Sequence, residues 1–231
     1  MSRAIALDTE TTGFKFEEGH RIVEIGCVEM DNLIRTGRHF HVYINPERDV
    51  PQEAVNVHGL TYDKLKDKPK FESIIDDFIE FIGDSPLVIH NAPFDMSFLN
   101  AEFGKIGYPK ITNKVIDTLT LSRKRLKIGR HTLDALCNFY KIDKTNRGLH
   151  GALIDADLLA QVYLELEGGA SYSMKLEDPN KSLSVSELLN KNLNINMKKE
   201  DKSKHFFPIV KPIETEMVHY KAFLEENGFS F

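Results

Sequence analysis

The chain has 231 residues, 41% hydrophobic and 28% charged, with two cysteines and no tryptophan, a composition that excludes collagen-like, mucin-like and wholly disordered proteins. A count of 30 Lys and Arg against 35 Asp and Glu leaves a formal charge of -5, too acidic for a protein that grips duplex nucleic acid by neutralising many phosphates. A nucleic-acid cleft that carries divalent cations stays open, because the ions supply positive charge and call for acidic surroundings.

In chain order, residues 4–7 read as an apolar strand, 22–30 as a second strand alternating apolar and polar residues, and 38–44 as a third. The short loops between them favour antiparallel pairing. Residues 71–82 have helical spacing, 87–89 form a short buried strand, 94–106 a helix and 115–116 another strand. Helices at 132–140 and from just after His150 through Leu166 complete the series. Strands first, then strand-helix alternation, predict an α/β layer architecture, a mixed β-sheet flanked by helices. Cys27 and Cys137 fall in apolar runs and read as small buried hydrophobes, not as a disulfide framework or a zinc site.

The character of the sequence changes after Gly168-Gly169, which sets a first domain at 1–169. Residues 170–204 are poor in aromatics and rich in Asn, Ser and Lys, as a flexible linker is. An apolar cluster at 206–210 and a helix-like stretch at 215–226, with Met217, Tyr220, Phe223 and Leu224 near one face, make 205–231 a partner-binding segment. No apolar run approaches the roughly 18 to 20 residues that cross a bilayer. The first ten residues reach an acidic pair without a basic-then-apolar leader, so a cytoplasmic location with no membrane contact is expected.

The chemistry concentrates in carboxylates. Asp8 and Glu10 close the first strand, and residues two apart on a strand project from one face. Two like charges at the end of a buried strand are costly unless a cation sits between them; the alternative is a solvated turn, for which Asp, Thr and Gly are common residues. Asp95 falls in the first turn of the helix that follows the strand at 87–89. There it either stabilises the helix dipole or joins a site at the strand ends, where catalytic groups gather in α/β sheets.

His150 and Asp155 open the last helix. Five residues at about 100° each put them about 140° apart on a helical wheel, so His150 belongs in the loop or at the helix mouth, with Gly151 easing the irregular entry. By the same arithmetic Asp157 lies about 200° from Asp155 and points away as a solvated charge. Together Asp8, Glu10, Asp95 and Asp155 bring four negative charges, which two Mg²⁺ or Mn²⁺ ions balance; oxygen-only ligands select such hard cations. Two ions about 3.5–4 Å apart suit phosphodiester hydrolysis, and His150, with an unperturbed pKa near neutrality, suits removal of a proton from the attacking water.

The motifs Asp8-Thr-Glu10-Thr-Thr-Gly13, Asn91-Ala-Pro-Phe94-Asp95 and His150-Gly-Ala-Leu-Ile-Asp155 resemble, in the same order, the three exonuclease motifs of the DnaQ-like (DEDDh) 3′-to-5′ exonucleases. The resemblance covers residues 1–169. It implies a ribonuclease-H-like fold, Asp8, Glu10 and Asp155 as metal ligands, Asp95 as a ligand acting directly or through water, and His150 as general base. It also implies Glu53 and His58, in the segment 53–60, as contacts to the terminal nucleotide, with Phe94 placed to stack on or wedge against a base. Asp8, Glu10 and Asp155 would share in holding the substrate through the ions. The implied substrate is a single-stranded or frayed DNA 3′ end, and the implied partner is the polymerase subunit of a replicative polymerase, through the C-terminal segment.

The family's sliding-clamp motif carries Gln first and an aromatic last; the corresponding residues here run from Ser171 to Leu176, so any clamp contact is weak. The basic residues Arg123, Lys124, Arg125, Lys127 and Arg130 either guide the single strand or form a solvated helix face. Two rival functions are an exoribonuclease of the same fold, since metal chemistry is indifferent to the sugar, and a non-catalytic nucleic-acid-binding module.

Overall fold

The computed structural model describes residues 3–145 and 149–168; the linker and partner-binding segment expected over 170–231 lie outside the described residues. Strands β1 (Arg3–Thr11), β2 (Ile22–Asp31) and β3 (Ile34–Tyr43) form an antiparallel meander. Two short strands, β4 (Leu87–Ile89) and β5 (Val115–Asp117), add in parallel on the far side of β1, giving the order β3-β2-β1-β4-β5. Around this mixed sheet lie α1 (Gln52–His58), α2 (Tyr62–Leu65), α3 (Ile75–Ile82), α4 (Ala92–Lys105), α5 (Thr118–Arg125), α6 (Leu133–Tyr140) and α7 (Ala152–Leu166). This is the α/β architecture the sequence predicts. No helix among the described residues is long and apolar enough to cross a membrane.

Strand alternation divides the molecule into two cores. From β1, Ile5 and Leu7 face α3, the turn before it and α4, where they meet Phe71, Phe78, Phe98 and Phe103. Ala4 and Ala6, one step out of phase, face α6 and α7 and meet Leu136, Leu159 and Tyr163. The small residues on this second face matter. Ala152, Ala156 and Ala160 recur every four positions along α7 and are all fully or almost fully buried, forming a ridge of methyl groups that lets the helix lie close against the sheet.

Several local details differ from the sequence reading. Strand β3 begins at Ile34 rather than 38, because Asn32 and Leu33 both take positive φ (48° and 69°) in a two-residue hairpin turn that pairs Asp31 with Ile34. An apolar Leu in a left-handed position gives no turn signal. The helix read at 71–82 is split into a 3-10 turn at Phe71–Ser73 and α3. The alternation in β2 does not produce a wet face. Every residue from Ile22 to Met30 is buried, and the polar ones carry partners: Glu29 takes Arg3, Thr36 and Arg38, and Glu24 lies 2.8 Å from Nε2 of His41. Cys27 and Cys137 are both buried, as their apolar runs predict.

Candidate active site

Strand phase decides which acids meet. Because Ala4 and Ala6 face α7, Asp8 and Glu10 continue that face at the C-terminal end of β1. Glu10, His150 and Asp155 each offer a ligand atom, and these atoms all lie within 4.8 Å of one another. Asp8, two residues earlier, pairs across the ladder with Gly26 of β2. The donors come from three separate places: a strand end, a loop and the first turn of a helix.

Gly26 explains how α7 reaches this point. A Cβ at position 26 would sit 2.2 Å from the carbonyl carbon of Ala152 and from the backbone nitrogen of Leu153, closer than any side chain tolerates. The first turn of α7 therefore rests directly on the backbone of β2. That contact brings Asp155, 3% exposed, against the end of β1. His150 lies before the helix, with Gly151 extended at the N-cap (φ −155°, ψ 129°). Its Nδ1 is 3.1 Å from Oδ2 of Asp155, and its ring is about half exposed. Asp157 points away, as the helical wheel predicts, and pairs with Arg35 at 2.6 Å.

Asp95 approaches from the other face. Thr9, between Asp8 and Glu10, points toward α4, and Oδ1 of Asp95 accepts the Thr9 backbone N–H at 3.1 Å and the Thr9 hydroxyl at 2.7 Å. The fourth acid is thus tied to the peptide joining the first two, and its second oxygen is not needed for that tether. Burial pushes the Asp95 carboxyl up to about 7, against the opposing hydrogen bonds from Thr9. The loop before α4 is held by Asp117, whose Oδ1 accepts the N–H of Asn91 at 3.0 Å and that of Leu119 at 3.0 Å; Asn91 sits in the left-handed region (φ 64°). Desolvation raises Asp117, but the Thr120 hydroxyl, which donates to its Oδ2 at 2.6 Å, and these backbone N–H groups hold it below the usual carboxylate range.

Beside the acids lies a cavity of about 410 Å³ whose wall includes Glu10, Thr11, Phe14, Glu53, His58 and Phe94. Glu53, His58 and Phe94, the contact residues expected from the sequence, therefore share one wall with Glu10. Helix α1 supplies Glu53, which is exposed, and His58, which is buried. Nδ1 of His58 accepts the N–H of Leu60 at 3.1 Å, which leaves the proton on Nε2. Burial pulls the imidazole below its ordinary pKa, so it stays neutral at pH 7. Phe94 packs on Phe98, ring centroids 5.1 Å apart, and is both core and wall.

Some contributors carry weak sequence signals. Phe14 is 85% exposed at the lip of the cavity; its place directly after the Gly13 turn is the only clue. Arg21 grips Glu102 of α4 at 2.6 Å and 2.8 Å while its backbone N–H donates to Oγ1 of Thr12 at 3.0 Å. It thereby fastens the turn after Glu10 to the helix that carries Asp95. An Arg and a Glu 81 residues apart give no pairing signal in one sequence. Asp117 was readable as an N-cap ahead of Thr118-Leu119-Thr120. The basic residues of α5 and the following loop, Arg123, Lys124, Arg125, Lys127 and Arg130, are exposed, as both readings require; Arg125 is also tied to the C-terminal end of α7 through the Leu166 carbonyl and Glu167.

Comparison with known proteins agrees with this geometry. The family model described as RNase T exonuclease matches residues 5–163. The DNA polymerase III subunit epsilon of Rickettsia felis is 47% identical over 226 residues, covering 96% of this chain and 95% of the relative, so that likeness runs on through most of the residues beyond 169. The same-named subunit of Salmonella typhimurium is 49% identical over 177 residues, 73% of each chain. Among solved structures, Exonuclease X in complex with 5′ overhanging duplex DNA superposes with a TM-score of 0.58 at 26% identity, covering 74% of this chain and 93% of its own. With Glu10, His150 and Asp155 drawn together at the end of β1 and Asp95 tied to Thr9, the chain belongs to the RNase T exonuclease family, among the DNA polymerase III epsilon subunits.

Proposed function

We propose that this exonuclease removes nucleoside monophosphates from the 3′ end of single-stranded or frayed DNA as the proofreading subunit of DNA polymerase III. The observation that supports this most strongly is the convergence of Glu10, His150 and Asp155 within 4.8 Å beside the cavity walled by Glu53, His58 and Phe94. Members of the family depend on divalent metal, and the donors present fit hard ions: carboxylate oxygens dominate, with a single imidazole among them. Asp8, Glu10 and Asp155 would hold two Mg²⁺ or Mn²⁺, with Asp95 acting directly or through water. Such ions neutralise the scissile phosphate and lower the pKa of water.

The chain's own residues then divide the work. Phe94 and Phe14 offer faces for the terminal base, and stacking of this kind tolerates any sequence. Glu53 lies at the edge of the cavity with its carboxylate in solvent, placed to accept from a terminal hydroxyl. His150, held by Asp155 through Nδ1 at 3.1 Å, presents Nε2 as the base for the proton of the attacking water. Specificity comes from access, because a mispaired end frays at lower cost than a paired one.

Residues 205–231 would dock on the polymerase (alpha) subunit, as an amphipathic helix lies in a groove, and contact of residues 171–176 with a sliding clamp would be weak. A gel of 5′-labelled and 3′-labelled single-stranded DNA, with and without chelator, tests polarity, substrate and metal at once, and a matched RNA strand tests the sugar. Stepwise shortening from the 3′ end, abolished by chelator and by Asp155→Ala, is expected. Equal or faster digestion of RNA would overturn the DNA reading, and no metal-dependent release at all would favour a binding module.

A further inference from the structure

The loop that carries His150 is fixed from two sides. On one, the imidazole meets Asp155. On the other, the loop leans on α1. The backbone N–H of His150 donates to the carbonyl of Val57 at 3.2 Å. One residue earlier, the side chain of Leu149 lies over Gly59, so closely that a Cβ at position 59 would be 2.6 Å from Leu149 Cδ1. Gly59 is the left-handed residue (φ 73°) that ends α1, and only a residue without a side chain both turns the chain there and leaves that seat open. Leu149 remains 54% exposed. It is therefore a poor core residue, and the seat it takes is the end of the helix that bears Glu53 and His58.

We propose that Leu149 seated on Gly59 is a latch that makes α1 and the His150 loop one unit, so that Leu149 is a positioning residue for the exonuclease reaction. The wall that receives the terminal nucleotide and the loop that delivers the base then keep a fixed relation. This rests on the reading of His150 as the base. Loss of the Leu149 side chain removes no carboxylate, so the expected metal ligands stay in place. It lets the imidazole wander, and displacement of a reacting group by about 1 Å is enough to cost on the order of a hundredfold in rate.

The test uses the full chain with single-stranded DNA under saturating metal. Leu149→Ala is expected to lower kcat by roughly ten- to a hundredfold with KM changed by less than about threefold. It should leave the rise in melting temperature on adding Mn²⁺ as in the wild type and speed hydrogen exchange at the His150 amide. Leu149→Met, which keeps the apolar reach, should restore most of kcat. A wild-type kcat in Leu149→Ala, with His150→Gln strongly impaired, overturns the latch alone. Loss of the Mn²⁺ shift together with activity also overturns it, since the side chain would then be supporting the whole site. Wild-type kcat in His150→Gln overturns instead the reading on which the latch rests.

Discussion

Replacing Asp95 by Asn should make the metal-free protein more stable at alkaline pH, although Asp95 is one of the four acids expected to serve the metal site. The carboxyl is 3% exposed, and burial moves it from its ordinary 3.8 up to about 7. A carboxyl raised in the folded state binds its proton more tightly there than in the unfolded chain. Stability therefore falls as pH rises from about 4 to about 7, and the full cost is present above that. At 1.36 kcal/mol per unit, a rise of about three units is an upper bound of about 4 kcal/mol, or on the order of 10 °C in Tm for a domain of this size. Asn is of the same shape and neutral, and its Oδ1 can still accept from the N–H and hydroxyl of Thr9.

Thermal melts in chelator at pH 5 and pH 8 provide the assay. The variant should melt above the wild type at pH 8, the gap should shrink toward pH 5, and millimolar Mg²⁺ should raise the wild type more than the variant, since ions that bind the folded acids stabilise by RT ln(1 + [L]/Kd). A gap that is independent of pH, or a variant less stable at pH 8, would refute the reasoning.

Gly26→Ala should abolish both activity and the stabilisation by Mn²⁺, because its Cβ would meet the backbone of Ala152 and Leu153 at 2.2 Å and lever the first turn of α7 off the sheet; wild-type nuclease activity in that variant would remove the close-approach argument. Glu102→Ala leaves the guanidinium of Arg21 without its two short hydrogen bonds, at a cost of about 1–3 kcal/mol, measured by urea denaturation; a change below about 0.5 kcal/mol would mean that the pair does not fasten the turn to α4. Asp157→Ala breaks an ion pair whose side chains are 45% and 40% exposed, and should cost less than about 1 kcal/mol with kcat unchanged. A large drop in kcat would show that the acid two residues beyond Asp155 works in the site after all.

What could be read without coordinates was whatever depends on local period and charge. The phase of a strand puts Asp8 and Glu10 on one face, and the angular step of a helix turns Asp157 away from Asp155; both hold, with Asp157 paired to Arg35 on the outside. Gly151 before α7 marked His150 as a residue outside the helix, and it is. Illegible were features built from residues far apart. Asp95 could be placed at a helix start but not on the opposite face of β1, joined to Thr9 86 residues away. Glu24 and Glu29 made β2 look half solvated, when their partners come from β3 and from Arg3. Short helices such as α1 and α5 lack the length over which periodicity shows.

The sequence by itself determined the chemical inventory: which acids exist, which pairs share a face, and which family's motifs they form. Only the tertiary structure decided which of them meet. That choice depends on how near α7 comes to the sheet, and nearness is set by the missing side chain of Gly26 and the methyl ridge of Ala152, Ala156 and Ala160. The four-residue spacing of those alanines is visible in the sequence, but not what it admits, since the contribution of a small residue is the space it leaves for a partner distant in the chain.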